Sequence, residues 1–292
     1  MPFLLILLLL ALIGLFLYWQ LVWAEGTYLG KRPVAWLYNL VAHRYNDIKQ
    51  YADEDDARYL GEPLALSLQG TPDPIVLDVA TGTSRLPLAL CRQPLFRGQI
   101  VALDNARRML HTATDYLRDY RDRVTWVWQH AVPLPFDDDT FDVVTCLEAF
   151  EFMPNTRDAL RECLRVLKPG GLLLVTNRVG SGRWLLFGKT FSREGFVRLL
   201  QAFGQIDVTT QVWQYDYDLV WSIKPDENKT SEVSPAPLRY GVLRKSFESL
   251  NPSELLRCPK CGTPFDRTGA ALTCRSCGRR YPIGTDGVIE LL

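Results

Sequence analysis

The sequence predicts an α/β protein built on a mainly parallel, doubly wound sheet, with an apolar helix before it and a small cysteine-bearing module after it. Three observations carry that expectation. Residues 75–90 read as strand, turn and helix: Ile75, Val76, Leu77 and Val79 form an apolar run with β-branched members, Ala80-Thr81-Gly82-Thr83-Ser84 is a small-residue turn, and Leu86, Leu88, Ala89 and Leu90 open a helical pattern. A second short strand, Val101-Ala102-Leu103-Asp104, ends in an acid 26 residues after Asp78. Further apolar runs at 141–146 and 172–176 alternate with helical patterns at 106–120 and 157–167, the rhythm of a parallel sheet.

The turn at 80–84 must be small if its backbone is to approach a ligand beyond the strand's carboxyl end. An acid closing the second strand is placed to accept hydrogen bonds from two ribose hydroxyls. Each feature alone is ordinary, since an Asp after a strand is commonly a helix cap. Together and in this order they point to a nucleotide-type ligand.

The bulk numbers agree. At 292 residues the chain holds one full α/β domain plus smaller pieces, and its 47% apolar content is ordinary for a globular protein. Lys+Arg and Asp+Glu balance at 33 each, so no global field recruits nucleic acid. That argues against an RNA substrate without excluding one.

Residues 3–23 are almost wholly apolar, with no charge before Glu25. At ~1.5 Å rise per residue this run spans the ~30 Å hydrocarbon core, and Tyr18, Trp19 and Trp23 sit where an aromatic belt would lie. Val22-Trp23-Ala24 would suit signal-peptide cleavage, but there is no basic segment ahead of it and the apolar stretch is long. The expectation is an uncleaved anchor over residues 1–24. Lys31, Arg32 and Arg44 follow it and only the α-amino group precedes it, so the positive-inside rule places the body of the chain in the cytoplasm.

Next come amphipathic helical patterns at 33–52 (Trp36, Leu37, Leu40, Val41, Tyr45, Ile48, Tyr51) and 57–68, ended by Gly70-Thr71-Pro72-Asp73-Pro74. Val124-Thr125-Trp126-Val127-Trp128 is a strand by propensity. Asp137-Asp138-Asp139 reads as a solvated turn. Glu148 and Glu151 follow the fourth strand; they are the local candidates for a general base or for positioning substrate, and equally suit exposed helix or loop carboxylates. Lys168-Pro169-Gly170-Gly171 stops the helix at 157–167. Ser192 is an N-cap for a helix at 191–203. Two last strands are expected at 206–217 and 219–223, with Trp213, Tyr215 and Tyr217 on one core or sheet face. Residues 176–191, with Gly180, Gly182 and Gly188 around Trp184 and Phe187, read as a substrate loop or a membrane-dipping flap. Residues 225–254 are a linker by composition.

The tail carries two matched knuckles, Cys258-Pro-Lys-Cys261-Gly and Cys274-Arg-Ser-Cys277-Gly. Each turn lets two thiolates face one ion, and the following glycine permits the turn's positive φ. Cys258, Cys261, Cys274 and Cys277 thus complete a closed, structural zinc site. A cytoplasmic location argues against disulfides, and the doubled spacing against a redox motif. A module this short, residues 255–292, needs the metal to fold. Its six basic residues (Arg257, Lys260, Arg267, Arg275, Arg279, Arg280) suit a polyanion or a solvated surface. Cys91, Cys146 and Cys163 sit in apolar surroundings and read as core.

Four motifs carry a family resemblance: Val-Leu-Asp-Val-Ala-Thr-Gly-Thr at 76–83, Leu-Asp-Asn-Ala-Arg-Arg-Met-Leu at 103–110, Leu-Pro-Phe at 134–136 leading to Phe-Asp-Val-Val at 141–144, and Arg-Val-Leu-Lys-Pro-Gly-Gly at 165–171. In this order they resemble the class I S-adenosylmethionine (SAM) methyltransferases, and Ala80 in place of the first motif glycine is similar to the ubiquinone and menaquinone methyltransferase branch. The resemblance implies a Rossmann-like seven-stranded sheet over residues 25–224, with SAM across the carboxyl ends of the strands. It implies cofactor contacts from Tyr45, Asp78, Ala80, Thr81, Gly82, Ser84, Asp104, Asn105, Met109, His130, Ala131 and Cys146: Asp104 on the ribose, the 80–84 turn on the amino-acid end, Asp78 orienting that turn. Ser84 departs from the family's glycine; as a small residue able to cap the helix, it is expected to alter affinity. His130 stands where the family has an acid reading adenine, and a neutral imidazole can accept that hydrogen bond.

The ending Tyr281-Pro282-Ile283, Asp286-Gly287-Val288-Ile289, Leu291-Leu292 is similar to a zinc-ribbon family that includes activators of tRNA and translation-factor methyltransferases. This implies a docking or stabilising module fused in cis. Membrane tethering and Ala80 point to a quinone-like or lipid acceptor; the ribbon points to a protein or RNA acceptor, and a protein partner through the ribbon is a further expectation. A non-catalytic SAM-fold scaffold at the membrane is the alternative from another class, supported by Ser84 and His130.

Overall fold

A computed structural model describes residues 2–226 and 251–292. Most of the linker expected at 225–254 lies outside the described residues.

The seven strands of the main domain form where the apolar runs predict: β1 (Ile75–Val79), β2 (Gln99–Asp104), β3 (Val124–Trp128), β4 (Phe141–Cys146), β5 (Leu167–Arg178), β6 (Ile206–Trp213) and β7 (Tyr217–Ile223). Four short strands follow in the tail: β8 (Phe265–Thr268), β9 (Ala271–Cys274), β10 (Arg280–Pro282) and β11 (Ile289–Glu290). Among the described residues the main sheet runs β11-β3-β2-β1-β4-β5-β7-β6. It is parallel from β11 to β5, and β7 and β6 are antiparallel. The chain lays β2 and β3 to one side of β1, then returns to place β4 on the other. The crevice between β1 and β4 is therefore the topological switch point, where sheets of this kind bind ligands.

The sheet has eight strands, not seven, because β11 comes from the tail. Ile289 pairs with Val127 and Glu290 with Trp128, and the Leu291 amide donates to the Trp128 carbonyl at 3.1 Å. Without them β3 would present an open edge of unpaired backbone groups. A two-residue strand carries no periodicity, so the pattern could not announce it.

Two further boundaries differ. β5 starts at Leu167, so Lys168-Pro169-Gly170-Gly171 lies within the strand's span. There the pairing with β4 shifts register, from Phe141↔Leu167 to Val143↔Leu172, and Gly170 takes φ +74°. β6 ends at Trp213, which leaves Tyr215 on the β6–β7 turn, 86% exposed, while Trp213 and Tyr217 are buried. The expected aromatic face is therefore broken by a turn. Ser192 caps the Arg193–Ala202 helix as expected, accepting the Gly195 amide at 3.0 Å.

The tail folds as a three-stranded antiparallel ribbon, β10-β9-β8. It shares a core with the main domain: Leu256, Phe265, Leu272, Tyr281, Ile289 and Leu291 join the same buried cluster as Leu134, Phe136 and Phe141. Each such apolar side chain contributes about 1.5–3 kcal/mol on full burial. The acid run at 137–139 is more than a solvated turn. Asp137 pairs with Arg257 of the ribbon, Asp138 with Arg165 at 2.9 Å, and Asp139 with Lys224 at 2.7 Å.

The N-terminal helix, Pro2–Trp23, is 22 residues long and apolar enough to cross a membrane. None of its spanning window is buried against the rest of the chain. Its end packs on the loop after β5: the Trp19 Nε1 donates to the Leu185 carbonyl at 3.1 Å, and the Trp19 ring meets Tyr28 and Phe187. The expected helix at 33–52 is a helix over Lys31–Val41, a 3-10 turn and a short helix over Tyr45–Lys49.

Candidate functional site

A cavity of about 320 Å³ opens at the carboxyl ends of the four central parallel strands. Ala80, Asp104, Gln129 and Leu147 line it, each at or just past the end of β1, β2, β3 or β4. Tyr38 and Tyr45 wall it from the N-terminal helices, and Phe152 and Met153 from the loop after β4.

Its floor is the 80–84 turn. Asp78 accepts the Thr81 hydroxyl at 2.6 Å with one carboxylate oxygen and the Thr145 hydroxyl at 2.6 Å with the other, so it ties the turn to β4. The Thr81 amide donates to the Leu103 carbonyl at 3.0 Å. The Gly82 amide donates to Asp104 Oδ2 at 2.8 Å and the Ala106 amide to Oδ1 at 2.7 Å. Burial pushes the carboxyls of Asp78 and Asp104 up to about 6; the two threonine hydroxyls oppose this at Asp78, and the Ala106 and Gly82 amides at Asp104.

Backbone conformation explains the turn's composition. Ala80, Gly82 and Ser84 take φ of +56°, +57° and +64°. Only at Gly82 is that region free of a Cβ clash. Ser84 heads the Arg85–Cys91 helix but makes no capping hydrogen bond. Its hydroxyl instead lies 3.3 Å from the Thr81 hydroxyl and it is fully buried. The capping expected of Ser84 is therefore absent, because a left-handed residue points its side chain away from the helix's first amides.

The other residues predicted for the site divide. Tyr45, Asn105, His130 and Ala131 line the cavity, and Asp78 and Thr81 line a smaller adjoining space of about 40 Å³. Met109 does not reach either; it is buried with Ala42 and Ala106 beneath Tyr38 and Tyr45, supporting the cavity wall. Cys146 lies in the main apolar core, where burial pushes its thiol well up. His130 is held near pKa 4 by burial, with Lys31 and Arg32 adding to the effect, so its imidazole is neutral. Its Nδ1 is buried without a partner.

Neither glutamate is an exposed carboxylate. Glu148 lines the cavity at φ +50°, bound by Lys49 Nζ at 3.1 Å and Arg85 Nη1 at 3.0 Å. Arg85 also forks onto Asp56 and lies over the rings of Tyr51 (3.9 Å) and Trp213 (4.6 Å). Glu151 is buried away from the cavity, accepting the Tyr217 hydroxyl at 2.5 Å. The sequence pattern does not announce this ionic cage of Lys49, Asp56, Arg85 and Glu148. Its one local signal is Arg85 directly after the turn; the other members come from three distant segments.

The four tail cysteines converge, with all sulfurs within 4.8 Å of one another. Cys261 and Cys274 sulfurs lie 3.4 Å apart, and those of Cys258 and Cys277 3.8 Å apart. Tetrahedral zinc, with Zn–S bonds of about 2.3 Å, spaces its sulfurs about 3.8 Å apart, so the donor set fits. Gly262 and Gly278 take φ of +71° and +67°, and the Cys277 amide points at the Cys274 sulfur at 3.5 Å. The Tyr281 hydroxyl lies 3.4 Å from the Cys258 sulfur.

Comparison with known proteins agrees with both halves. Residues 77–175 match the family model for a methyltransferase domain, and residues 253–284 that for Trm112p-like proteins. The chain is 41% identical over 102 residues to the ubiquinone/menaquinone biosynthesis C-methyltransferase UbiE of Idiomarina loihiensis, covering 34% of this chain and 41% of that protein. It is 32% identical over 179 residues to the UbiE of Marinomonas sp. (strain MWYL1), covering 60% of this chain and 68% of that protein. Across these two relatives it thus spans between 41% and 68% of their length. Among solved structures, the [4+2]-cyclase SpnF superposes with a TM-score of 0.55 at 20% identity, over 67% of this chain and 96% of that one; that likeness concerns the fold alone. The chain belongs to the SAM-dependent methyltransferase family, in its ubiquinone/menaquinone methyltransferase-like branch, and carries a Trm112-like ribbon at its C-terminal end.

Proposed function

We propose that this chain transfers a methyl group from SAM to an apolar, quinone-like or lipid acceptor at the cytoplasmic face of a membrane, with a zinc-bound ribbon acting in cis. The observation that supports it most directly is Asp104: a buried carboxylate at the end of β2, oriented by the Gly82 and Ala106 amides and facing the cavity at the switch point. In this reading Asp104 accepts the ribose hydroxyls, and Asn105 and Ala131 border the adenosine. Neutral His130 lines the same part of the cavity beside them. The turn at 80–84 receives the amino-acid end, and Tyr45 closes over it.

SAM supplies an electrophilic methyl on a sulfonium, so displacement is in line and positioning provides much of the rate. Glu148, bound by Lys49 and Arg85, serves to hold the cavity wall. The apolar lining from Val34, Leu103, Leu147, Phe152 and Met153 favours an apolar acceptor. The curated relatives' names, which concern ubiquinone and menaquinone biosynthesis, favour the same class. Zinc held by Cys258, Cys261, Cys274 and Cys277 would keep the ribbon folded against β3.

The test is methyl-label transfer. The full chain is incubated with methyl-labelled SAM and with membranes plus cytosol from cells lacking it, and the label is partitioned. Label in the organic phase is expected. Label in protein or RNA overturns the acceptor class, and no transfer with no SAM binding leaves a scaffold. The anchor has its own check: the chain should resist alkaline carbonate extraction, and release as soluble protein would refute it.

A further inference from the structure

Two segments flank the end of the N-terminal helix, and each exposes apolar side chains that take no part in lining the cavity. The first, residues 26–44, is the turn Thr27–Leu29 with the helix Lys31–Val41. It exposes Leu29 (51%), Trp36 (58%) and Leu40 (47%). The second is the loop after β5, which exposes Trp184 (66%) and Phe187 (63%). Large apolar side chains exposed singly are normal, but a cluster around one point marks a contact surface.

The two segments are joined to that point and to each other. The Tyr28 hydroxyl donates to the Phe187 carbonyl at 2.9 Å, and the Trp19 ring, at the end of the apolar helix, lies 5.2 Å from Tyr28 and 6.2 Å from Phe187. The charge of both is one-signed. Residues 26–44 carry Lys31, Arg32 and Arg44 with no acid, and residues 179–190 carry Arg183 and Lys189 with no acid. Exposed aromatics beside lysine and arginine are the composition of a surface that sits among lipid headgroups, rings toward the acyl boundary and cations toward phosphate.

We infer that the Lys31–Val41 helix and the loop around Trp184 and Phe187 form a second membrane contact, seated in the headgroup layer of an anionic bilayer beside the N-terminal helix. This rests on the proposed anchoring, which puts a bilayer at the helix, but adds a surface that anchoring alone does not require. It also fixes the site's orientation. Lys31, Val34 and Tyr38 of that helix line the cavity, and Lys189 of the loop donates to the carbonyls of Met153 and Pro154, two further lining residues, at 2.8 and 2.7 Å. The cavity mouth is thus bordered by the two lipid-facing segments, and an apolar acceptor enters from the bilayer without crossing water.

Photo-crosslinking tests this on the full chain in vesicles of phosphatidylcholine with phosphatidylglycerol. Benzoylphenylalanine is placed singly by Leu10→benzoylphenylalanine, Trp184→benzoylphenylalanine, Phe187→benzoylphenylalanine and Tyr215→benzoylphenylalanine, and lipid adducts are read by mass spectrometry. All four positions are exposed, so folding is preserved. Adducts at 184 and 187, with none at 215, are expected. Adducts at 10 but none at 184 or 187 overturn the second contact and leave the anchor standing. Adducts at 184 and 187 but none at 10 support the contact and overturn the spanning anchor. No adduct at any position overturns both.

Discussion

Arg107 and Asp286 meet fork to fork across the junction of domain and ribbon: Nη1 donates to Oδ2 at 2.8 Å and Nη2 to Oδ1 at 2.9 Å. The same guanidinium donates from Nε to Glu290 on β11 at 2.9 Å. Arg107 opens the helix that follows Asp104, so the ribbon grips the chain three residues beyond the proposed ribose-binding carboxylate.

Because the pair is mostly buried and bidentate, Arg107→Ala and Asp286→Asn should each destabilise the fold by about 1.5–3 kcal/mol. The double variant should cost less than the sum of the two, since Arg107 keeps Glu290 and Asp286 keeps His111 in the single variants. Urea unfolding of the four chains measures this, and additive losses would refute the coupling. The pair is also pH-sensitive at its acid end. Burial alone would raise the Asp286 carboxyl, but hydrogen bonds from Arg107 and His111 outweigh it and hold it at about 2. A folded-state pKa below the unfolded value of about 3.9 gives stability that is complete above that value and lost as pH falls toward 2.

Asp104 carries the opposite sign. Its folded pKa of about 6 lies above the unfolded value, so the buried carboxylate lowers stability as pH rises from about 4 to 6, with no further change above. Ribose hydroxyls would donate to the ionised form. Affinity for S-adenosylhomocysteine should therefore fall as pH drops through about 6, and calorimetry should find Asp104→Asn weakened by about 10–100-fold, from the ~1.5–3 kcal/mol of a charged hydrogen bond. Asp78 sits at about 6 as well, so Asp78→Asn is the control for its share. Unchanged binding by Asp104→Asn would remove the carboxylate from the site.

Metal removal should act on the sheet, not on the ribbon alone. The chain should hold one zinc, and Cys258→Ser should lose it. With the ribbon unfolded, β11 leaves β3, so amide exchange at Leu291 should accelerate and the thermal midpoint should drop. Retained protection at Leu291 in the zinc-free chain would show that β11 docks independently of the metal.

Ser84 is held at φ +64° without a cap and with one long hydroxyl contact. Removing the Cβ relieves about 1 kcal/mol of left-handed strain, so Ser84→Gly should raise the urea midpoint by that equivalent. A lower midpoint would mean that the Thr81–Ser84 hydroxyl contact outweighs the backbone strain.

Local chemistry wrote much of this protein into its sequence. The strands β1 to β4 are short apolar runs bounded by turns, and the position of Asp104 follows from β2 ending in an acid. The zinc ligands follow from spacing, and each knuckle glycine from the φ its turn requires. These features depend on residues within a few positions of one another, so their periodicity and order could be read directly. Tertiary structure decided what no window contains. β11 became a strand only because β3 offered an edge, and Arg107 found Asp286 across 179 positions. Glu148 was brought between Lys49 and Arg85 by segments far apart in the chain, and Ser84 was forced into a conformation that its own preferences resist. Such contacts depend on where packing places distant backbone and charge, a property of the assembled sheet rather than of any stretch along it.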